Sequence, residues 1–240
     1  LLVVLLLLLS SQASSSSSSS SQASSSSRHQ RAWLGSVRSL HPAPCSGVCL
    51  AEAGARIVAG RSAYGLDTTL SINNSAVHEV DISRWLLDED YEWVQVLSGK
   101  PGPDVPDGQQ DPLLITFRTT SKVMVTIEMF MTARYGYEVR CSVVAGNGIL
   151  DMGDGTFITR TARGSRGQDM PELWLGRFGE AYRAEMQAWI DGSRGLSGPA
   201  GASTWDGFMA AVSCRAAVDA LRLGEAVEIN VPDRPAIYSN

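Results

Sequence analysis

Leu113-Leu114-Ile115-Thr116-Phe117-Arg118-Thr119-Thr120-Ser121-Lys122-Val123-Met124-Val125-Thr126-Ile127-Glu128-Met129-Phe130 is the stretch that decides the fold class. Its first part, Leu113 to Thr119, is rich in β-branched and aromatic residues. Its second, Lys122 to Phe130, alternates Val123, Val125, Ile127 and Met129 against Lys122, Thr126 and Glu128. A period of two sends successive side chains to opposite faces of a strand, so one face is apolar and the other wet. Two such runs joined by a very short connection form an antiparallel hairpin, because a parallel return needs a long crossover.

Working outward, the pattern stays β for some distance. Tyr91 to Leu97 reads as a strand before the hairpin, separated from it by the Pro/Gly/Asp-rich loop Gly99 to Asp111, which has the composition of an exposed segment. Tyr137 to Ala145 continues the sheet, Gly146-Asn147-Gly148 turns the chain, and Ile149 to Met152 and Thr156 to Thr161 add short strands. The period then changes. Leu175, Phe178, Tyr182, Met186, Trp189 and Ile190 recur every three or four residues, the stripe of a helix packed on something apolar. A second helix starts near Ser203, carries Phe208, Met209, Val212, Ala216 and Leu221, and stops near Gly224. Val227 to Val231 returns as a last strand. Strands in series followed by helices predict an α+β domain: an open, mainly antiparallel sheet with helices on one face and the other face free for a partner.

Upstream of the sheet, Asn73-Asn74-Ser75-Ala76-Val77-His78-Glu79-Val80-Asp81-Ile82-Ser83-Arg84-Trp85-Leu86-Leu87 reads as a loop, an N-cap and an amphipathic helix with His78 on its first turn. An imidazole titrates near neutrality, and a helix N-terminus favours its neutral, proton-accepting form. By itself a histidine there is more often a cap or core-edge residue than a catalyst. Asp81 and Arg84, three apart, are placed to pair with each other.

The chain has 240 residues and a net charge of −5. Three segments follow from composition: an apolar and polyserine segment over 1–27, a poorly ordered connector over 28–64, and one domain over 65–240. Polyserine cannot bury enough apolar surface to offset chain entropy, so disorder is expected there. The aliphatic run Leu1 to Leu9 is too short for a membrane span. With neither an initiating methionine nor a basic stretch before it, a fragment or mistranslated start is expected ahead of a secretory signal. Arg28, Arg31 and Arg38 form a small basic cluster without interleaved aromatic residues, and the acidic balance argues against nucleic acid as a partner. Cys45, Cys49, Cys141 and Cys214 match neither a C-x-x-C pair nor a zinc site. A reducing compartment, the cytoplasm, is the expectation, with a Cys45–Cys49 bridge left open.

No G-x-G-x-x-G follows a strand anywhere in the chain. Taken in order, however, the His78 segment, Tyr135-Gly136-Tyr137, Gly146-Asn147-Gly148-Ile149 and Arg177-Phe178-Gly179-Glu180-Ala181-Tyr182-Arg183-Ala184-Glu185 resemble the C-terminal half of Gfo/Idh/MocA oxidoreductases, with inositol 2-dehydrogenases the subgroup most resembled. The resemblance runs over about Gly65 to Tyr238. It implies an NAD- or NADP-dependent oxidation of a secondary hydroxyl on a cyclitol or sugar, with His78 taking the hydroxyl proton. It also implies substrate contacts from Ser75 and from Tyr135, a sheet tyrosine, and a homo-oligomer formed through the open sheet face. The family's aspartate four residues before the histidine is replaced here by Asn74, which hydrogen-bonds but carries no charge. The family's Gly-rich loop and its Glu-Lys-Pro lysine belong to a Rossmann half with no counterpart in this chain; Lys100-Pro101 stands in the wrong order. The sequence therefore predicts either part of a dehydrogenase, incomplete by itself, or a non-catalytic binding or oligomerisation module derived from that family.

Overall fold

A computed structural model describes residues 48–52, 67–145, 148–152, 159–168, 174–197 and 201–238. The hairpin at the centre of the sequence is the centre of the sheet. Strands β3 (Leu113–Thr119) and β4 (Met124–Met129) pair antiparallel with Phe117 opposite Val125 and Ile115 opposite Ile127. Those four side chains are fully buried, while Leu114, Thr116 and Arg118 stand toward the other, wetter face. The reversal between the strands puts Lys122 at φ 75, and the Thr119 hydroxyl accepts from the Val123 N–H at 3.0 Å, closing the turn.

The full sheet has the order β6-β5-β1-β4-β3-β2-β9, with β1 (Val48–Glu52), β2 (Tyr91–Ser98), β5 (Arg140–Ala145), β6 (Gly148–Met152) and β9 (Val227–Glu228) completing it. Every pairing is antiparallel except β1 with β4. Strands β7 (Thr159–Ala162) and β8 (Ser165–Gln168) make a separate hairpin.

β1 corrects one expectation, since it lies inside the stretch read as a connector. Five residues are too few for a period to declare itself. The strand is held by backbone pairing to β4 on one side and β5 on the other, partners remote in sequence. The remainder of 1–66, with the proposed boundaries at 27 and 64, the expected disorder and Cys45, lies outside the described residues, as do Gly146 and Asn147.

Helices cover one face. A continuous helical segment comprises α1 (Thr68–Ser71), a π-helical turn (Ile72–Ala76) and α2 (Val77–Leu87). It packs against α4 (Thr204–Leu223), which in turn lies on β2. Val80, Ile82 and Leu86 of α2 join Ala210, Cys214, Ala217 and Val218 of α4 in the same core as Val94, Ile115, Phe117 and Val125 from the sheet. α4 begins with a capping box, Ser203 Oγ accepting from the Asp206 N–H and Asp206 accepting from the Ser203 N–H, and ends on Gly224 at φ 72. α3 (Trp174–Ser193) is anchored differently: Phe178 and Ala181 are buried against Tyr137, the two rings meeting edge to face at 6.0 Å. Cys141 and Cys214 are free and buried, as small core hydrophobes are. Among the described residues no helix is long and apolar enough to cross a membrane.

Candidate active site

The helix that carries His78 starts earlier than the sequence suggested. Asp67 is the N-cap, its carboxylate accepting from the Leu70 N–H at 3.1 Å, and Thr68 is tied to the β2–β3 loop through Gln109 and Gln110. His78 thus stands well inside a helix rather than on a first turn. Asn73, Asn74 and Ser75, expected as loop and cap, occupy the π-helical turn. The misreading has a physical source. Asn and Ser stop an α-helix by offering alternative hydrogen bonds, and here Asn73 turns its amide back onto the Thr69 carbonyl at 3.0 Å while the helix runs on. Ile72 and Ala76 on the inner side of that turn are fully buried, which holds Asn73 and Asn74 outward. Widened π turns of this kind recur at functional sites, where they redirect side chains from the regular helical path.

Asn74, Ser75 and His78 are therefore neighbours on one rigid helix, with Asn74 and His78 exposed and Ser75 half-buried. His78 reaches solvent, yet the protein packed about its ring desolvates the cation and pushes its pKa below the ordinary 6.5. Burial, not a helix N-terminus, makes it a neutral proton acceptor at physiological pH. Next to it, Glu79 turns toward α4. Burial pushes its carboxyl up to about 7, against the pull of its own backbone N–H, and its charge adds to the burial that pushes the Cys214 thiol up to about 12.

Tyr135 lies in the β4–β5 connection, not within a strand as the family pattern implied; β5 starts only at Arg140. The connection is shaped by two residues. Buried Asp111 accepts from the N–H groups of Met131 and Thr132 at 2.9 and 2.8 Å and from the Thr132 hydroxyl at 2.6 Å, fixing the chain as it leaves β4. Gly136 takes φ 129, a conformation closed to side chains with a Cβ, between an exposed Tyr135 and an inward Tyr137. Burial raises the Tyr135 pKa first, and Glu138 raises it further. Its hydroxyl therefore stays protonated and able to donate. No hydrogen bond joins Tyr135 to Asn74, Ser75 or His78 among the described residues, so the structure brings three of the four candidates onto one element and leaves the fourth on a separate loop.

Beyond His78 the same helix face continues through Asp81 and Trp85, three and seven residues on. It opens into a cleft of about 390 Å³ that also takes in Arg84, Trp205, Asp206 and Arg234. Asp81 does not pair with Arg84. That guanidinium is buried and bonded to Asp90 and to the Asp206 carbonyl, while burial, with the Asp206 charge adding to it, raises the Asp81 pKa against the opposing Arg84 charge. The i+3 and i+7 spacing from His78 is a legible signal for Asp81 and Trp85 as its neighbours on one helix face.

A dinucleotide does not fit the described residues. Helix N-termini hold phosphates through free N–H groups and a positive dipole end. Here the helix starting at Thr68 presents Asp67, and α4 presents Asp206, each a carboxylate already bonded to those N–H groups or to the cap. The cleft repeats the problem, since Asp81, Asp88, Glu89, Asp90 and Asp206 outnumber its two arginines. The described residues also hold no His/Cys/Asp/Glu group of metal-binding kind.

A histidine helix, a sheet and a C-terminal helix pair in this order match a known domain: residues 71–229 fit the model of the Gfo/Idh/MocA oxidoreductase family's C-terminal alpha/beta domain. The chain belongs to that family. Inositol 2-dehydrogenase 4 of Saccharopolyspora erythraea is 37% identical over 175 residues, 73% of this chain and 52% of the relative. Inositol 2-dehydrogenase/D-chiro-inositol 3-dehydrogenase of Shouchella clausii is 32% identical over 179 residues, again 52% of the relative. The crystal structure of myo-inositol dehydrogenase from Lactobacillus casei with NAD(H) and myo-inositol superposes with a TM-score of 0.76 at 30% identity, covering 87% of this chain and 60% of that one. The chain spans about half the length of the curated relatives it matches.

Proposed function

We propose that this chain is the substrate-binding, proton-accepting part of an NAD(P)-dependent oxidoreductase that oxidises a secondary hydroxyl of a cyclitol or related sugar. The observation that carries the reading is the polar turn with exposed Asn74 and half-buried Ser75 set one helical turn before a histidine whose pKa burial lowers, on a helix anchored at Asp67. His78 accepts the proton of the hydroxyl being oxidised. Asn74 and Ser75 bind neighbouring hydroxyls through an amide and a hydroxyl that both donate and accept, and Tyr135 adds a donor from the β4–β5 loop. The nicotinamide cofactor is the hydride acceptor and is held by a unit outside the described residues. The sheet face opposite the helices, with Leu97, Leu114, Thr116 and Arg118, is the surface for a homo-oligomer, and the cytoplasm is the compartment.

Two titrations test this. The purified chain binds myo-inositol calorimetrically, and His78→Ala or Asn74→Ala weakens that binding about tenfold, the loss of one or two hydrogen bonds. The same chain gives no saturable change in NADH or NADPH fluorescence. A folded chain that binds no cyclitol or sugar overturns the reading, and saturable nucleotide binding overturns the assignment of the cofactor to another unit.

The absence of a carboxylate at Asn74 supports a second reading, a binding or oligomerisation module without redox activity. In enzyme reconstituted with a relative's nucleotide-binding half, Asn74→Asp separates the two. A catalytic chain turns over as it stands and gains about tenfold when a charge raises the basicity of His78, whereas a non-catalytic one shows no turnover to improve.

A further inference from the structure

The two parts of the candidate site stand on different segments, and one loop is bonded to both. Asn74, Ser75 and His78 share a helix, while Tyr135 lies in the β4–β5 connection. The β2–β3 loop reaches the helix through its last residues. The Thr68 N–H donates to Gln109 Oε1 at 2.7 Å, the Thr68 hydroxyl lies 3.0 Å from the same oxygen, and the Gln110 N–H donates to that hydroxyl at 2.7 Å. Thr68 is 7% exposed and opens the helix that runs on to the Asn74-Ser75 turn, so these shielded bonds set where that helix begins.

The next residue of the loop holds the other segment. Buried Asp111 takes the Met131 and Thr132 N–H groups and the Thr132 hydroxyl, three residues before Tyr135. Asp104 adds an ion pair to Arg134, but both side chains are exposed and the pair contributes little by itself. Within the loop, the Gly99 N–H donates to the Pro112 carbonyl at 2.9 Å and closes its base, and backbone bonds of 3.2 and 3.1 Å close turns at 102–105 and 106–109. Gln109 and Asp111 are two residues apart, at most about 7 Å of chain. That is too little for the two contacts to drift independently.

The geometry points to Gln109 and Asp111 as positioning residues that hold Tyr135 at a fixed distance from the His78 helix. The inference rests on the functional reading above. A cyclitol presents hydroxyls at fixed spacing around a ring. A donor on one segment and a proton acceptor on another engage it together only while the segments keep their separation, and a misplacement of about 1 Å forfeits much of the gain. Gln109 is the contact that can be cut cleanly. It faces a backbone N–H, which only donates, so it works through its amide oxygen, and a carboxylate supplies the same acceptor at a helix start. Removing Asp111 instead strands three buried donors and endangers the fold.

Gln109→Ala and Gln109→Glu, each alone and with Tyr135→Phe, are compared in the 240-residue chain by myo-inositol calorimetry and by amide hydrogen exchange. Exchange over 71–76 is expected to be about tenfold faster in Gln109→Ala and at the wild-type rate in Gln109→Glu. Tyr135→Phe is expected to weaken binding about fivefold in the wild type and in Gln109→Glu, but less than about twofold in Gln109→Ala, where the tyrosine is already out of register. Gly224→Ala, a destabilising change at the end of α4, leaves the fivefold effect intact, which separates positioning from general loss of stability. Additive effects of Gln109→Ala and Tyr135→Phe overturn the inference, as does unchanged exchange over 71–76. A Tyr135→Phe change that is silent in the wild type does the same. Failure of the wild-type chain to bind any cyclitol sinks the functional reading, and the exchange rates then decide the anchor by themselves.

Discussion

α3 and α4 are both 20 residues long, and they could hardly be used more differently. α4 has a capping box, a glycine stop and an inner face of small or slender residues: Ala210, Cys214, Ala217, Val218 and Ala220. Small residues let its backbone approach β2 and α2 closely, so this inner face is buried within the chain, while Phe208 and Leu223 on the outer side stay exposed. α3 also carries large apolar side chains, yet of those described only Phe178 and Ala181 are fully enclosed. Burial separates them more than size does: α4 also encloses Trp205 and Met209, whereas Met186 and Trp189 of α3 stay 55% and 68% exposed. A strong apolar period therefore tells which face of a helix is to be covered without telling which polypeptide covers it.

The comparison breaks first at Met209, fully buried on α4. Met209→Ala removes its side chain from a close-packed site and costs about 2–5 kcal/mol, measured by urea denaturation. A cost near zero makes α4 as peripheral as α3 and voids the contrast.

Glu79 tests the same interface by charge. Its pKa is raised from 4.5 to about 7, so the folded state binds the proton more tightly than the unfolded chain. The stability this group contributes is fully present below pH 4.5 and is lost as pH rises through about 7. Glu79→Gln removes the charge that burial penalises. The gap corresponds to about 3 kcal/mol, reduced to about 2 because part of the residue still meets water. The variant is expected to gain stability above pH 7 and to show no gain below pH 4.5. A pH-independent difference means that Glu79 is solvated in the α2–α4 contact. His78 contributes in the opposite sense: with its pKa depressed, the fold loses stability as pH falls through 6.5, so it partly offsets the Glu79 trend where the two groups titrate together.

Capping sharpens the comparison at the helix start. Ser203→Ala deletes the acceptor for the Asp206 N–H and the hydroxyl bonded to the Asp206 carboxylate, and it costs about 1 kcal/mol. Gly224→Ala at the other end forces a Cβ into a left-handed conformation and costs about the same, by strain rather than contact, since no atom lies within 4 Å of the position. If neither change lowers the denaturation midpoint, tertiary packing alone holds α4.

Most of this architecture was legible because it rests on local periods. The β3–β4 hairpin, the strand at Tyr91, both long helices and the stop at Gly224 follow from alternation, a three-to-four repeat and one glycine. What escaped depends on partners remote in sequence. β1 is a strand because β4 and β5 flank it, and buried Asp111 shapes a loop across β3 and β4. The start of the His78 helix was read too late because Asn73, Asn74 and Ser75 carry the composition of a cap, and a π turn has no composition of its own. His78 lies inside the helix and not at its start, so enclosure, a tertiary property, replaces the helix terminus as the cause that lowers its pKa. Asp81 and Trp85 share helical spacing with His78, but the cleft they line depends on Trp205, Asp206 and Arg234, which are remote in sequence.

The smallest expected effect carries the comparison furthest. Trp189→Ser removes the largest exposed apolar side chain of α3, yet at 68% exposure it gives up little contact within the chain, and the stability change is expected within about 0.5 kcal/mol. In an ordinary folded helix a tryptophan is among the costliest residues to delete, so a neutral result is informative: the side chain is retained for something other than the stability of this unit. A loss of several kcal/mol, comparable with Met209→Ala, means that the outer turns of α3 are already covered, and the difference between the two helices disappears. A neutral result keeps the two helices distinct: the enclosed side chains of α4 carry the stability of this unit, and Trp189 carries none of it.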